Sequence, residues 1–84
     1  MKKKIAILGS TGSIGESTIK IIKDNKKDFD VIFLSTNSNV KKLYKQSIEL
    51  HPKAVIVFNK EKYLKIKKKF IKRNIRIYNT FKDL

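Results

Sequence analysis

Three glycines set three residues apart, in Gly9-Ser10-Thr11-Gly12-Ser13-Ile14-Gly15, constrain this chain more than any other feature. They follow the apolar run Ile5-Ala6-Ile7-Leu8 and lead into a helical pattern through Ile22. Glycine lets the backbone turn tightly, brings it close to a ligand with no Cβ in the way, and packs the next helix onto the strand. The hydroxyl residues between the glycines are small and donate without crowding. A helix that starts near Ser13 aims its unpaired N–H groups and the positive end of its dipole into the bend, which favours an anion such as a pyrophosphate. The spacing is Gly-x-x-Gly-x-x-Gly rather than Gly-x-Gly-x-x-Gly, yet the strand-to-helix context is the one a dinucleotide fingerprint demands. No Gly-Lys-Ser/Thr closes the bend, so it is not a Walker-type loop.

Downstream the pattern repeats. Ile5–Leu8, Val31–Leu34 and Ala54–Phe58 are continuous apolar runs, as expected of strands buried on both faces of a parallel sheet. Ile75–Tyr78 alternates and predicts a strand nearer the sheet edge. Between them, the first helix ends around Asn25 to Asp28 and carries Ile14, Thr18, Ile21 and Ile22 on one side, against Glu16, Lys20, Lys23 and Asp24. A second helix over Val40–Leu50 groups Val40, Leu43, Tyr44, Ser47 and Ile48, with Lys42, Lys45, Gln46 and Glu49 opposite; Pro52 stops it at or before His51. A third, over Lys60–Lys72 and capped by Asn59, groups Tyr63, Leu64, Ile66, Phe70 and Ile71 against Lys62, Lys65, Lys68, Lys69 and Lys72. Thr80 with Asp83 opens another helix, and the sequence stops inside it.

The order β-α-β-α-β-α-β predicts an α/β fold, a Rossmann-like parallel sheet with a right-handed crossover. With 84 residues there is room for little more than one of the two mononucleotide-binding halves, so the sheet is expected to be incomplete and the chain to resemble the front of a longer protein. The segment Ser35-Thr36-Asn37-Ser38-Asn39, at the end of the second strand, falls where such folds separate a ribose 2′-hydroxyl from a 2′-phosphate. It holds no acid, offers hydroxyl and amide donors, and is followed by Lys41 and Lys42, which favours NADP over NAD. Ser38 or Asn39 also suits the cap of the second helix.

A formal charge of +14 raises nucleic acid or an anionic surface as a partner. Arg73 and Arg76 are the only arginines, however, and a lysine bias of this kind reads as solvated faces. A small basic nucleic-acid-binding module would need aromatics exposed among the lysines, whereas Tyr44, Tyr63 and Phe70 fall on apolar faces. An inactive truncated product is a further alternative. The chain has no cysteine, which removes disulfides and thiolate metal sites and suits a reducing cytoplasm. The basic start breaks at Gly9, too soon for a signal peptide or membrane span. His51, the single histidine, reads as a helix-terminal residue rather than a ligand.

Lys4 to Gly15, Leu34 to Val40 and Pro52 to Val55 together resemble the start of the 1-deoxy-D-xylulose 5-phosphate reductoisomerase family, whose Gly-Ser-Thr-Gly-Ser-Ile-Gly string is highly specific. The resemblance covers essentially residues 1–84, and implies the N-terminal part of an NADPH-binding domain, with the catalytic and C-terminal domains absent. It implies an NADPH- and divalent-metal-dependent (Mg²⁺ or Mn²⁺) conversion of 1-deoxy-D-xylulose 5-phosphate to 2-C-methyl-D-erythritol 4-phosphate in non-mevalonate isoprenoid synthesis, by a cytoplasmic homodimer. The implied cofactor-binding residues are Gly9, Thr11, Gly12, Ser13, Ile14 and Gly15 at the phosphates, and Asn37, Ser38 and Asn39 at the 2′-phosphate end. Many relatives carry Gly-Lys-Asn at the last three positions, so Lys41 or Lys42 would have to supply the missing cation here. Metal ligands, substrate-binding serines and lysine, and the lid lie downstream in the family and map to nothing in this chain. The isolated chain is therefore expected to be catalytically inactive, and uncovered apolar faces to make it poorly soluble or self-associating.

Overall fold

The computed structural model describes residues 2–83. The chain runs β1 (Lys3–Ile7), α1 (Ser13–Asp24), β2 (Phe29–Thr36), α2 (Val40–Leu50), β3 (Ala54–Val57), α3 (Lys60–Lys72) and β4 (Arg76–Tyr78). Only a 3₁₀ turn, Phe81–Asp83, follows; Leu84, where the expected final helix would continue, lies outside the described residues.

All four strands are parallel, in the order β1-β2-β3-β4. Parallel neighbours need a crossover, and each helix supplies one. The three helices form a single layer. Ion pairs Lys42–Glu16 and Lys23–Glu49 tie α1 to α2, and the Tyr44 ring meets Phe70 edge-on at 5.4 Å between α2 and α3. Beneath that layer lies the core: Ile7, Val31, Leu34, Val55, Val57 and Ile77 from the sheet against Ile19, Ile22, Leu43 and Phe70 from the helices. All four residues of β3 are buried, as its apolar run predicts, and β4 sits at the edge.

The strand ends differ from the sequence expectation. Leu8 and Phe58 fall outside their strands and are exposed, while β2 runs on through Ser35 and Thr36. Polar residues extend that strand because both are buried beside hydrogen-bonding partners in the glycine bend. A bulge at Ile32 lets β2 turn both Val31 and Leu34 to the helices: Ile5 pairs with Val31, but Ala6 pairs with Phe33.

Helix boundaries match the sequence; helix faces do so less well. On α1 the buried stripe is Gly15, Ile19 and Ile22, so Ile14 (83% exposed) and Ile21 face out, contrary to expectation. Gly15 sets that rotation, because it lies against the Gly9 and Ser10 backbone. On α3, Phe70 is buried with Tyr63 and Ile66 packed against the core, whereas Leu64 and Ile71 are exposed. On α2, Gln46 is buried rather than solvent-facing. His51 is the α2 C-cap in the left-handed conformation (φ 48°), its N–H donating to the Ser47 carbonyl at 2.8 Å.

The Lys23–Glu49 pair has a pH signature. Its hydrogen bond from Lys23 holds the Glu49 carboxyl below its ordinary value of 4.5, against a smaller opposing effect of burial. A depressed carboxylate pKa contributes stability above the unfolded-state value that is lost as pH falls through the folded one. The pair is partly exposed, so less than about 1 kcal/mol is at stake. Acid thermal melts of Glu49→Gln should show a correspondingly shallower loss below about pH 4.5 than the parent chain.

Candidate functional site

Because the strands are parallel, the turns after β1, β2 and β3 emerge along one edge of the sheet, where ligands of open α/β sheets bind. The first is the glycine bend. Gly9 adopts φ 69°, a conformation that side chains disfavour, and its carbonyl accepts the Gly12 N–H at 3.1 Å. Gly12 is the N-cap of α1 with no side chain over the helix end.

Not every amide of the bend is available. Gly9 N–H donates to Ser35 Oγ at 2.9 Å, Ser10 N–H donates to the Ser35 carbonyl at 2.9 Å, and Gly12 N–H is closed on Gly9. The amides of Thr11, Ser13, Ile14 and Gly15 have no acceptor within the described residues, and the first intrahelical bond is Glu16 N–H to the Gly12 carbonyl at 2.8 Å. The cradle is thus the second half of the bend and the first turn of α1. Gly9 and Gly15 shape it: a Cβ on Gly15 would lie 2.3 Å from the Gly9 oxygen and 2.7 Å from Ser10 Cα. At Gly12 such a Cβ would make only an ordinary van der Waals contact, 3.5 Å from the Gly9 oxygen.

The second turn, Asn37-Ser38-Asn39, is exposed throughout. Asn39 caps α2, its Oδ1 accepting from Lys42 N–H at 3.3 Å, while the Asn37 carbonyl accepts from Asn59 N–H at 2.8 Å. Asn59 in turn caps α3. The side chains of Asn37 and Ser38 have no hydrogen-bond partner among the described residues. Of the two lysines expected to face a 2′-phosphate, Lys42 is paired with Glu16 in the first turn of α1, whereas Lys41 is exposed and has no ion pair among the described residues.

Thr36 joins the two turns. Its Oγ1 lies 2.7 Å from Thr11 Oγ1 and accepts the Asn39 N–H at 3.3 Å. The sequence places Ser35 and Thr36 among the donors of the second turn and Gln46 on the polar face of α2, whereas all three are buried against the bend. For Gln46 a signal existed: it lies three residues after Leu43 and four before Leu50, on the helix stripe that faces the sheet. Among the described residues no group of three or more His, Asp or Glu converges. No described helix is long and apolar enough to cross a membrane.

Comparison with known proteins places this geometry. The family model of 1-deoxy-D-xylulose 5-phosphate reductoisomerase matches residues 5–83. The reductoisomerase of Pelagibacter ubique is 45% identical over 82 residues, covering 98% of this chain and 21% of that protein. That of Porphyromonas gingivalis is 52% identical over 63 residues, covering 75% of this chain and 16% of its own length. Among solved structures, the Zymomonas mobilis enzyme in complex with NADPH superposes with a TM-score of 0.88 at 28% identity, over 93% of this chain and 21% of that one. A reductoisomerase in complex with NADPH, fosmidomycin and magnesium gives 0.87 at 29% identity, over 96% and 20%. The chain spans about a fifth of the length of these relatives. With four parallel strands, interleaved helices and the glycine bend at their tips, the chain belongs to the 1-deoxy-D-xylulose 5-phosphate reductoisomerase family.

Proposed function

We propose that this chain is the first part of an NADPH-binding domain and holds the phosphates of NADPH for a reductoisomerase that converts 1-deoxy-D-xylulose 5-phosphate to 2-C-methyl-D-erythritol 4-phosphate in isoprenoid synthesis. The observation that carries this is the set of four acceptor-free amides at Thr11, Ser13, Ile14 and Gly15, converging where α1 begins. These donors suit a diphosphate, and Gly12 leaves room for it to approach. Asn37, Ser38 and Lys41 would meet the 2′-phosphate, with no carboxylate in the Ser35–Asn39 segment to repel it. NADPH, when bound, supplies the hydride for the reduction; the chain's own residues bind and orient its phosphate end.

The nicotinamide, the metal and the sugar phosphate would be handled by other parts of the protein, since the described residues hold no metal-ligand cluster and the carboxylate in the first turn of α1, Glu16, is paired with Lys42. It therefore binds cofactor without turning substrate over. The homodimeric, cytoplasmic setting of the family belongs to the same proposal. Nucleic acid is the weaker reading. Lys69 and Arg73 stand over the Tyr44 ring, 5.6 and 6.0 Å from its centroid, and Lys67 over Tyr63, so these rings are covered by cations rather than offered for stacking.

Titration of NADPH into the chain tests the reading. Lys41→Ala should weaken binding about tenfold through loss of one charge-assisted contact, while Lys42→Ala should change it little. Absence of NADPH binding by the parent chain, or equal effects of the two substitutions, contradicts the assignment. Oxidation of NADPH by the chain in the presence of Mg²⁺ and 1-deoxy-D-xylulose 5-phosphate would contradict the division of labour.

A further inference from the structure

Gln46 is 7% exposed, and its carboxamide meets Ser10 at both ends. Ser10 Oγ donates to Gln46 Oε1 at 2.8 Å, and Gln46 Nε2 donates to the Ser10 carbonyl at 2.8 Å. A carbonyl only accepts, so the amino end of the carboxamide must face it, and the clamp has a single sense. Ser10 itself is fully buried, held from the other side by the Ser35 carbonyl, which accepts its N–H and lies 3.3 Å from its Oγ, whose single proton goes to Gln46. Two buried polar side chains have thus been brought together over 36 residues of sequence where apolar contacts would fill the space.

What the clamp fixes is a peptide plane. The Ser10–Thr11 peptide is trans, so the Ser10 C=O and the Thr11 N–H point in opposite directions from one plane. Drawing that carbonyl towards α2 turns the Thr11 N–H away from α2, and this is the first of the four acceptor-free amides.

We propose that Gln46 is a positioning residue for diphosphate binding, holding the Ser10–Thr11 peptide so that the bend offers an N–H rather than a carbonyl oxygen to the anion. The proposal rests on the bend being a cofactor cradle. Without the clamp the plane can turn over, and the carbonyl dipole then faces and repels the phosphate. Thr11 Oγ1, bonded to Thr36, is on a separate tether and does not correct the plane.

Three variants of the ¹⁵N-labelled chain test this. Gln46→Glu keeps the shape and cannot donate to the Ser10 carbonyl; Gln46→Met, of similar length, removes both contacts and serves if the buried carboxylate prevents folding. Ser10→Ala removes the hydroxyl arm and keeps the carbonyl hold. Residual dipolar couplings should report a reoriented Thr11 N–H in the Gln46 variants and an unchanged one in Ser10→Ala. NADPH affinity should fall at least about tenfold in the Gln46 variants, while adenosine 2′-phosphate, which lacks the diphosphate, should bind within about twofold of the parent. Unchanged Thr11 couplings in the Gln46 variants overturn the proposal whatever the ligands do. Equal loss of both ligands also overturns it, because that marks a general loosening of the fold. Failure of the parent chain to bind NADPH overturns it through the cradle reading on which it rests, and is told apart because the couplings still shift.

Discussion

Gly15→Ala should destabilise this chain by about 3 kcal/mol or more, enough to abolish a cooperative thermal transition in a domain of this size. The new Cβ would stand 2.3 Å from the Gly9 oxygen, 2.7 Å from Ser10 Cα and 2.8 Å from the Ser10 carbonyl carbon. All three are backbone atoms, so no side chain can rotate to make room. The segment they belong to is also anchored, by Ser35 on one side and Gln46 on the other. Relief requires α1 to lift from the bend, and that withdraws Ile19 and Ile22 from the core. Gly12→Ala is the control: its Cβ meets nothing closer than 3.5 Å, and Gly12 has φ −77°, so stability should change by less than about 1 kcal/mol. NADPH binding should nonetheless suffer in Gly12→Ala, because the methyl group occupies the approach to the amides. Circular dichroism melts of the two variants, with cofactor titration of the second, check the contrast. A normal melt for Gly15→Ala would show that the helix does not sit on the bend as described.

What was legible in the sequence is what local chemistry decides. Asn39 and Asn59 mark the starts of α2 and α3, and Pro52 the end of α2, because caps and proline act within a turn of where they stand. The apolar runs locate β1, β2 and β3, and alternation over Ile75–Tyr78 locates β4, because each pattern is set by which faces of a strand are to be covered. Ser35 and Thr36 were legible only as loop. Their place in β2 depends on the bend that docks against them, 25 residues or more earlier in the chain. Ile14 and Ile21 went to the wrong face of α1 because helical periodicity gives a stripe but not its rotation; the contact of Gly15 with Gly9 settles it.

The candidate site divides the same way. Its glycines and the absence of acid after β2 are sequence facts, but the spending of the Gly9, Ser10 and Gly12 amides inside the protein is not. Nor is the pairing of Lys42 with Glu16, which leaves Lys41, with no ion pair among the described residues, as the cation beside the Asn37–Asn39 turn. The first follows from the bend docking on Ser35 of β2 and closing on itself, the second from α2 lying against α1; Ser35 and Lys42 each meet partners about 25 positions earlier in the chain.

Ser38 should decide the choice of coenzyme, because its side chain is exposed and has no hydrogen-bond partner among the described residues. A carboxylate there would stand near the 2′-phosphate of NADPH. Two negative charges about 5 Å apart at an effective dielectric near 20 repel by about 3 kcal/mol, roughly a hundredfold in affinity. Ser38→Asp is therefore expected to weaken NADPH about a hundredfold while leaving NADH, with its 2′-hydroxyl, little changed. Ser38→Lys places in the turn a cation that the parent chain lacks there and should tighten NADPH by up to about tenfold. Neither substitution touches the core. The acid also sits just ahead of α2, where its charge favours the helix dipole, so the Ser38→Asp melt should be unchanged or slightly raised. Parallel titrations with NADPH and NADH, beside the melts, separate recognition from folding. Equal loss of both coenzymes would mean that the turn acts on the diphosphate or the fold, and an unaltered NADPH affinity would place the 2′-phosphate elsewhere.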